Sequence, residues 1–529
     1  MWNIPFSVVL LAIFSWLFLQ LAQVLYNILL HPLRDYPGPL AAQASGWYKA
    51  YIELFLQRSW TDVLIELHQR YGKSTAFRRW MVLTRHAGDV IRVAPNELHF
   101  SNPQAYHDIY NNVNRWDKDK ALYECFGEDH SSFGFLKYHE AKQRKDVLQP
   151  LFSRRNILQM QSLVRKNMDH LVQRLSEDYA TGKSSDLFFA FRCFTMDTIT
   201  SFCFAKSVNA IDVPGYNAPI IEAMEASGPA FIQFKHLPLF RKFVFSLPPK
   251  IAVKASPETA GLTRLQLILR NQVDEVTANP GILKEAPHPI IYHRLLDPEA
   301  HKGQPLPNKQ SLYEEAQALM FGGGDTVGNT LMVGFNHILQ PSHQELYQSL
   351  RTEVRSAWSD LATPPSSFEA FESLPLLTAT IKESLRVAPG VVSPLLRVVP
   401  AQGATIASRQ VPPGTVVGIS GIFVHSSATI FDNPNAFMPQ RWLPTGTSTS
   451  TSRDLESNLV AFSRGPRSCL GINLAWCELY VAFATMLRRF ELLEIDKNSP
   501  PADLRFRDSF LPYFYAENHL KVRCKPATD

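Results

Sequence analysis

A bent loop carrying one cysteine, followed at once by a long apolar helical run, constrains this chain more than any other stretch. The loop is Phe462-Ser-Arg-Gly465-Pro466-Arg467-Ser-Cys469-Leu-Gly471, and the run is Ile472 to Phe490. Glycine and proline bend the backbone, and the apolar spacing after them is helical. A thiolate at Cys469 would sit at a helix N-terminus, where backbone N–H groups and the helix dipole favour negative charge. Such a sulfur is a soft ligand suited to iron. Arg467, two residues upstream, has the charge and reach to meet a carboxylate. A lone cysteine is more often a small buried hydrophobe, so the weight rests on the whole ten-residue pattern.

The chain has 529 residues, enough by size alone for roughly three or four domains. No polar low-complexity linker divides it, which leaves one large catalytic domain equally open. A core of this size needs no disulfide staples. None of the six cysteines forms a C-x-x-C pair, which speaks against zinc and against a secreted disulfide framework. The net charge is +5, and its basic residues are spread along the chain, so nothing supports a nucleic-acid partner.

The N-terminus reads as a retained membrane anchor over residues 1–31. No charged side chain precedes Arg34, and Val8 to Leu30 is interrupted only by Ser15, Gln20, Gln23 and Asn27. About twenty such residues cross a bilayer as a helix. A cleaved signal peptide would have a basic n-region and a shorter apolar core. The first positive charge follows the span, which puts the remainder in the cytosol. Pro32, Pro37 and Pro39 then make residues 32–45 a stiff hinge, and residues 46–529 are expected to form the globular domain.

Along that domain, Tyr48 to Tyr71 reads as a helix, Val90–Pro95 and Glu97–Phe100 as short strands, and Arg154 to Leu295 as mostly helical. His139 to Phe152 is a basic amphipathic helix whose ordinary reading is a solvated face. A long helix is expected from Ser311 to Leu339, with Ser311 and Glu314 at capping-box spacing and Pro341 past its end. Inside it lies Gly322-Gly-Gly-Gly-Asp325-Thr326-Val-Gly328. Each glycine costs a helix interior about 1 kcal/mol relative to alanine. Tight helix–helix packing would explain the glycines but not the adjacent acid and hydroxyl. Glu383 and Arg386, three apart, share a helix face, and alone would be a surface ion pair worth little. Phe437-Met-Pro-Gln440-Arg441-Trp442 and the extended run Val391 to Pro400 follow. Ala404–Ile406 and Val416–Ile419, with the Pro412-Pro-Gly414 turn, are expected to form one small sheet.

Four of these motifs, in this order, resemble those of the cytochrome P-450 superfamily of haem-thiolate monooxygenases. The cysteine loop matches F-x-x-G-x-R-x-C-x-G at every fixed position. Gly322 or Gly323 through Thr326 resembles [AG]-G-x-[DE]-T, Glu383 to Arg386 resembles E-x-x-R, and Phe437 to Trp442 resembles P-E-R-[FW], with Gln440 departing from the usual glutamate. The resemblance implies a mainly α fold with a minor β portion, preceded here by one transmembrane helix. It implies haem b with Cys469 as axial iron ligand, and Phe462, Gly465, Arg467 and Gly471 around it. Arg397 falls at a position that contacts a haem propionate, as does Lys145 with Arg144 beside it, although Ala141 stands where an aromatic or histidine is usual. Asp325 and Thr326 would deliver protons to iron-bound oxygen. Glu383, Arg386 and Arg441 would form a buried structural triad, and Phe510–Phe514 a hairpin tip over the haem.

By the same resemblance O2 is the co-substrate, and electrons come from NADPH through a cytochrome P-450 reductase, with cytochrome b5 as a second candidate donor. The location implied is the endoplasmic reticulum membrane. The hinge and the residues after Arg386 are most similar to fungal microsomal members of secondary metabolism, including the trichodiene-oxygenase type, which implies a terpenoid or polyketide substrate. A redox-neutral haem-thiolate isomerase or dehydratase, and a non-catalytic haem-binding membrane protein, are the alternatives. One stretch departs from the resemblance. Removing Lys73–Gly88 would join Tyr71-Gly72 directly to the strand at Asp89, and two readings of this segment stand: a translated retained intron, or a natural surface insertion.

Overall fold

Helical apolar periodicity dominates the sequence, and the computed structural model is mainly α with a minor β portion, as that periodicity requires. The structure describes residues 6–72, 89–247, 251, 260–388, 390–444, 452–515 and 519–528. The segment Lys73–Gly88 therefore lies outside the described residues. The helices that matter below are α1 (Phe6–Leu29), α2 (Trp60–Gly72), α3 (Tyr138–Leu148), α4 (Arg154–Ala180), α5 (Leu187–Phe204), α6 (Pro219–His236), α7 (Lys309–Gly324), α8 (Thr326–Ile338), α9 (Pro375–Val387) and α10 (Ile472–Arg489).

The chain divides into two compact units. One comprises Met1–Tyr110, Trp116–Asp119 and Ser393–Phe423. Its α1 is a candidate membrane span over Ser7–Leu29, mostly exposed, with Asn27 buried near its end. Two of its polar side chains are satisfied locally, since Gln23 donates to the Asn27 Oδ1 at 2.9 Å and Asn27 donates to the Ala44 carbonyl at 3.0 Å. The hinge is not wholly extended, because Leu40–Ala44 forms a short helix after Pro39. A five-stranded sheet runs in the order Val90–Ala94, Glu97–Phe100, Val416–Gly418, Arg397–Val398, Asp117–Lys118. Trp60, Val63, Leu64 and Leu67 of α2 pack with Ile91 and Val93 of the first strand.

Two expectations are corrected in this unit. Tyr48 to Tyr71 is not one helix. Trp47–Ala50 runs into a π-helical turn at Tyr51–Phe55, Gln57 turns left-handed at φ 50°, and α2 begins at Trp60. Ala404–Ile406 does not share a sheet with Val416–Gly418. It pairs instead with Arg409–Val411 in a hairpin whose Ala407 and Ser408 have φ of 46° and 63°, the turn geometry that suits the strand twist.

The second unit, Asn111–Arg115, Lys120–Val392 and Val424–Asp529, holds one continuous core built from α4, α5, α7, α8, α9 and α10. Helix α5 is long and apolar enough to cross a membrane, but it is 89% buried here and is a core helix. The long glycine-bearing helix begins earlier than expected. Its N-cap is Asn308, whose Oδ1 accepts the Ser311 N–H at 2.8 Å, so Ser311 is not the cap. It also breaks. α7 ends at Gly324, Asp325 sits at φ −107°, ψ −37°, and α8 restarts at Thr326.

Candidate active site

The cysteine loop is held by its own backbone. Gly465 lies at φ +75°, a conformation other L residues seldom adopt, and opens a short 3₁₀ turn through Arg467. The Ser468 N–H donates to the Gly465 carbonyl at 3.0 Å, and the Cys469 N–H to the Phe462 carbonyl at 2.9 Å. Gly471 then caps α10. Phe462 packs against Trp476 of that helix at 5.9 Å between ring centroids.

Five of the six cysteines are buried, and Cys469 alone among them is exposed. Protein still surrounds its sulfur closely enough that burial pushes the thiol up from its ordinary range, against the pull of the Gly471 N–H and the Lys145 ammonium. The helix N-terminus therefore does not by itself hold a thiolate. A coordinated metal would supply the missing positive charge and deprotonate the thiol outright. Lys145 of α3 donates to the Ser468 carbonyl at 2.7 Å and to the Pro466 carbonyl at 3.2 Å, tying α3 to the loop. Burial lowers its pKa, with Cys469 opposing. Arg467 donates to the carbonyls of Phe135 and Leu136 at 3.0 and 2.8 Å. Arg144 turns the other way. It pairs with Glu315 of α7 at 3.0 Å and donates to the Ser311 Oγ at 2.9 Å, so its visible work is to join α3 to α7. Arg397 lies in the other unit, where it donates to the Leu395 and Leu396 carbonyls and lies over the Tyr110 ring.

Of the four glycines between Gly322 and Gly328, three are there for packing. A Cβ at Gly323 would stand 2.6 Å from Ile199, one at Gly324 2.6 Å from Met196, and one at Gly328 within 3.2 Å of the Arg192 backbone. Glycine is what lets α5 lie directly on this helix. Gly322 differs, for it is exposed and has open space where a side chain would go. At the break, Thr195 of α5 donates to the Gly324 carbonyl at 2.5 Å, and the Thr326 hydroxyl donates back to the Gly322 carbonyl at 3.2 Å. These bonds satisfy carbonyls that an interrupted ladder leaves without their usual partners. A Cβ added at Gly390, in the segment after α9, would stand 3.4 Å from the Thr326 side chain.

Asp325 is buried at the break. Burial pushes its carboxyl up to about 6, with Arg192 pulling down and Glu225 pushing further up. Arg192, also buried, brings its Nε to 3.5 Å from Asp325 Oδ1 and 3.2 Å from Asn329 Oδ1, while its Nη1 pairs with Glu225 of α6. Sequence reasoning missed Arg192 and Glu225, since nothing in their local sequence marks them.

The structure brings Glu383, Arg386 and Arg441 together in the core. The Glu383 carboxylate accepts from Arg386 Nη2 and Nε at 2.7 and 2.9 Å, Arg441 Nε at 3.2 Å, the Met438 N–H at 2.8 Å and Trp442 Nε1 at 2.9 Å. Arg386 goes on to the carbonyls of His425, Pro434 and Ala436. His425 is kept neutral, at about 3, by burial and by Arg386, and its Nε2 accepts the Val460 N–H at 2.9 Å. That histidine links the triad to the start of the cysteine loop.

The donor set fits an iron carried in a macrocycle. One accessible sulfur stands at the loop, and among the described residues no group of three or more His, Cys, Asp or Glu side chains could cage an ion. Lys145 and Arg467 flank the loop with the charge that suits haem carboxylates. A family model described as Cytochrome P450 matches residues 64–512. The chain is 35% identical to the cytochrome P450 monooxygenase flvC of Aspergillus flavus, over 95% of this chain and 94% of that protein. It is 31% identical to the cytochrome P450 monooxygenase macH of Penicillium terrestre, over 97% of each, and 28% identical to the cytochrome P450 monooxygenase BOT1 of Botryotinia fuckeliana, over 94% and 92%. Cysteine loop, broken glycine helix, buried triad and these alignments agree: the chain belongs to the cytochrome P450 family.

Proposed function

We infer that this enzyme, a cytochrome P450 monooxygenase, oxidises a hydrophobic terpenoid or polyketide of fungal secondary metabolism. Its family uses haem and O2 with electrons from a redox partner. For this chain the donor we propose is NADPH through a membrane-bound cytochrome P-450 reductase, with cytochrome b5 as a secondary donor. The single observation that carries the reading is the accessible Cys469 at the head of α10. The bare apolar α1 supports anchoring in the endoplasmic reticulum membrane, with the catalytic domain cytosolic.

When bound, haem supplies the iron at which O2 is activated and a substrate C–H bond is oxidised. The chain's own residues do the rest. Cys469 would hold the iron, with Phe462, Gly465, Arg467 and Gly471 shaping the loop and Lys145 offering charge to haem carboxylates. Asp325, with its carboxyl pushed up to about 6, can hold a proton at its Oδ1 and release it near neutral pH. Thr326 carries the hydroxyl that would pass the proton on. The aromatic rings of Phe126, Phe133, Phe231 and Phe510 meet in one cluster, which suits an apolar ligand.

Thr326→Ala should keep the haem-thiolate absorbance and divert reducing equivalents to peroxide. Peroxide yield per NADPH consumed checks this, and unchanged coupling would contradict proton delivery through the hydroxyl. The substrate class is tested by comparing metabolites of a strain lacking this gene with its parent. A terpenoid or polyketide precursor should accumulate, and identical profiles would remove the substrate assignment.

A further inference from the structure

Two carboxylates share one arginine beside the broken helix. Gly328 lets α5 approach α8 so closely that Arg192 is buried against Asp325 and Asn329. The guanidinium is held in place from the other side by Phe188, whose ring centroid lies 4.0 Å away. Its two ends are then divided. Nη1 goes to Glu225, which reaches in from α6 and keeps 20% of its side chain exposed. Nε is left 3.5 Å from Asp325 Oδ1, beyond good hydrogen-bond distance, and it bonds Asn329 Oδ1 instead. One cation cannot neutralise two ionised carboxylates in a water-poor site, so one of the two acids has to favour its neutral form. Asp325 is the deeper and the less well bonded.

We propose that Glu225 is a positioning residue for Asp325: by holding one end of Arg192 it keeps the Asp325 carboxylate short of a full ion pair, and so able to take up and release a proton. The charged groups facing Asp325 are Arg192 from α5 and Glu225 from α6, and its other close neighbours at the break are the neutral Asn329 and Thr195. The upward displacement of its carboxyl, to about 6, has the same origin, with burial the largest cause. Glu225 needs no contact with substrate or cofactor for this, because it acts through Arg192.

The inference rests on the proton-handling role proposed for Asp325, and its test reads that carboxyl directly. In the full-length holoenzyme, Asp325 is titrated by infrared difference spectroscopy of the carboxyl stretch, with Asp325→Asn as the blank. In Glu225→Gln the guanidinium is released to Asp325, and the midpoint is expected to fall by about one pH unit or more, as an aspartate gaining an arginine partner does. Glu225→Asp keeps the charge on a shorter side chain, so its midpoint should lie between those of wild type and Glu225→Gln. It serves alone if Glu225→Gln does not fold. A purely structural Glu225 would lower stability and leave the midpoint where it was. An unmoved midpoint in either folded variant overturns the sharing of Arg192 while leaving the role of Asp325 intact. A fully coupled Asp325→Asn enzyme would overturn that role while leaving the sharing intact.

Discussion

Glu383→Ala is expected to yield little folded protein and no bound haem. Glu383 is wholly buried, and its two oxygens accept from Arg386, Arg441, Trp442 and the Met438 N–H. Alanine leaves two buried guanidinium groups without the carboxylate they share. Removing one partner of a buried ion pair costs about 3–5 kcal/mol, and each abandoned neutral donor adds about 1–3 kcal/mol. Against a net stability of about 5–15 kcal/mol for a folded protein, losses of that size remove most of the margin. The damage is not confined to α9. Arg386 also fixes the His425 carbonyl, and the His425 ring receives the Val460 N–H at the start of the cysteine loop. Losing the triad therefore loosens the loop that presents Cys469. Urea unfolding and haem content of the purified variant check this together. Glu383→Gln, which keeps two acceptor or donor positions but no charge, should fall between wild type and alanine. A Glu383→Ala protein that unfolds at the wild-type urea concentration would refute a supporting role for the triad.

The parts of the site that were legible beforehand are those encoded within a few residues of each other. The cysteine loop needs a left-handed turn at Gly465 and a cap at Gly471, so its chemistry and its backbone are written in one short segment. Glu383 and Arg386 are one helical turn apart, and the acid–alcohol pair at Asp325 and Thr326 is contiguous. What stayed hidden depends on which helices touch. Arg192 on α5 approaches Asp325 because glycines at 323, 324 and 328 admit α5 to the surface of the broken helix, and Glu225 on α6 in turn pairs with Arg192. The cap of α9 is equally remote. Its Leu376 and Leu377 N–H groups are taken by Glu353, from the helix Gln344–Ala357, at 2.9 and 2.8 Å. Arg144 and Lys145 illustrate the same limit. Adjacent positions on a helix point about 100° apart, and only the packing decides that Lys145 meets the loop while Arg144 meets Glu315. The helix break at Asp325 was signalled by the glycine run, but the partner that takes the Gly324 carbonyl there, Thr195, comes from another helix.

Cys469→Ala is expected to abolish haem-thiolate absorbance while leaving the protein folded, and the pairing of those two results is what gives the experiment its force. The Cys469 side chain is exposed and fills no core position, so its truncation should change the unfolding free energy by no more than about 0.5 kcal/mol in protein prepared without haem. The loop keeps its shape because its hydrogen bonds are backbone ones, from Cys469 N–H to Phe462 and from Ser468 N–H to Gly465. What is lost is the sulfur, and among the described residues every other cysteine is buried. Cys193, Cys203, Cys477 and Cys524 are buried, and burial pushes each thiol far above its ordinary range, which makes them poor thiolate donors. Serine at any of those four positions should therefore keep the absorbance. Cys469→Ser replaces the soft donor with a hard, weakly acidic oxygen and should lose the thiolate signature even where some haem is retained. This pattern separates a lost iron ligand from a collapsed site, because Glu383→Ala removes both fold and pigment whereas Cys469→Ala removes pigment alone. A folded Cys469→Ala protein that kept the thiolate absorbance would mean that another sulfur holds the iron, and the site built around α10 would have to be abandoned.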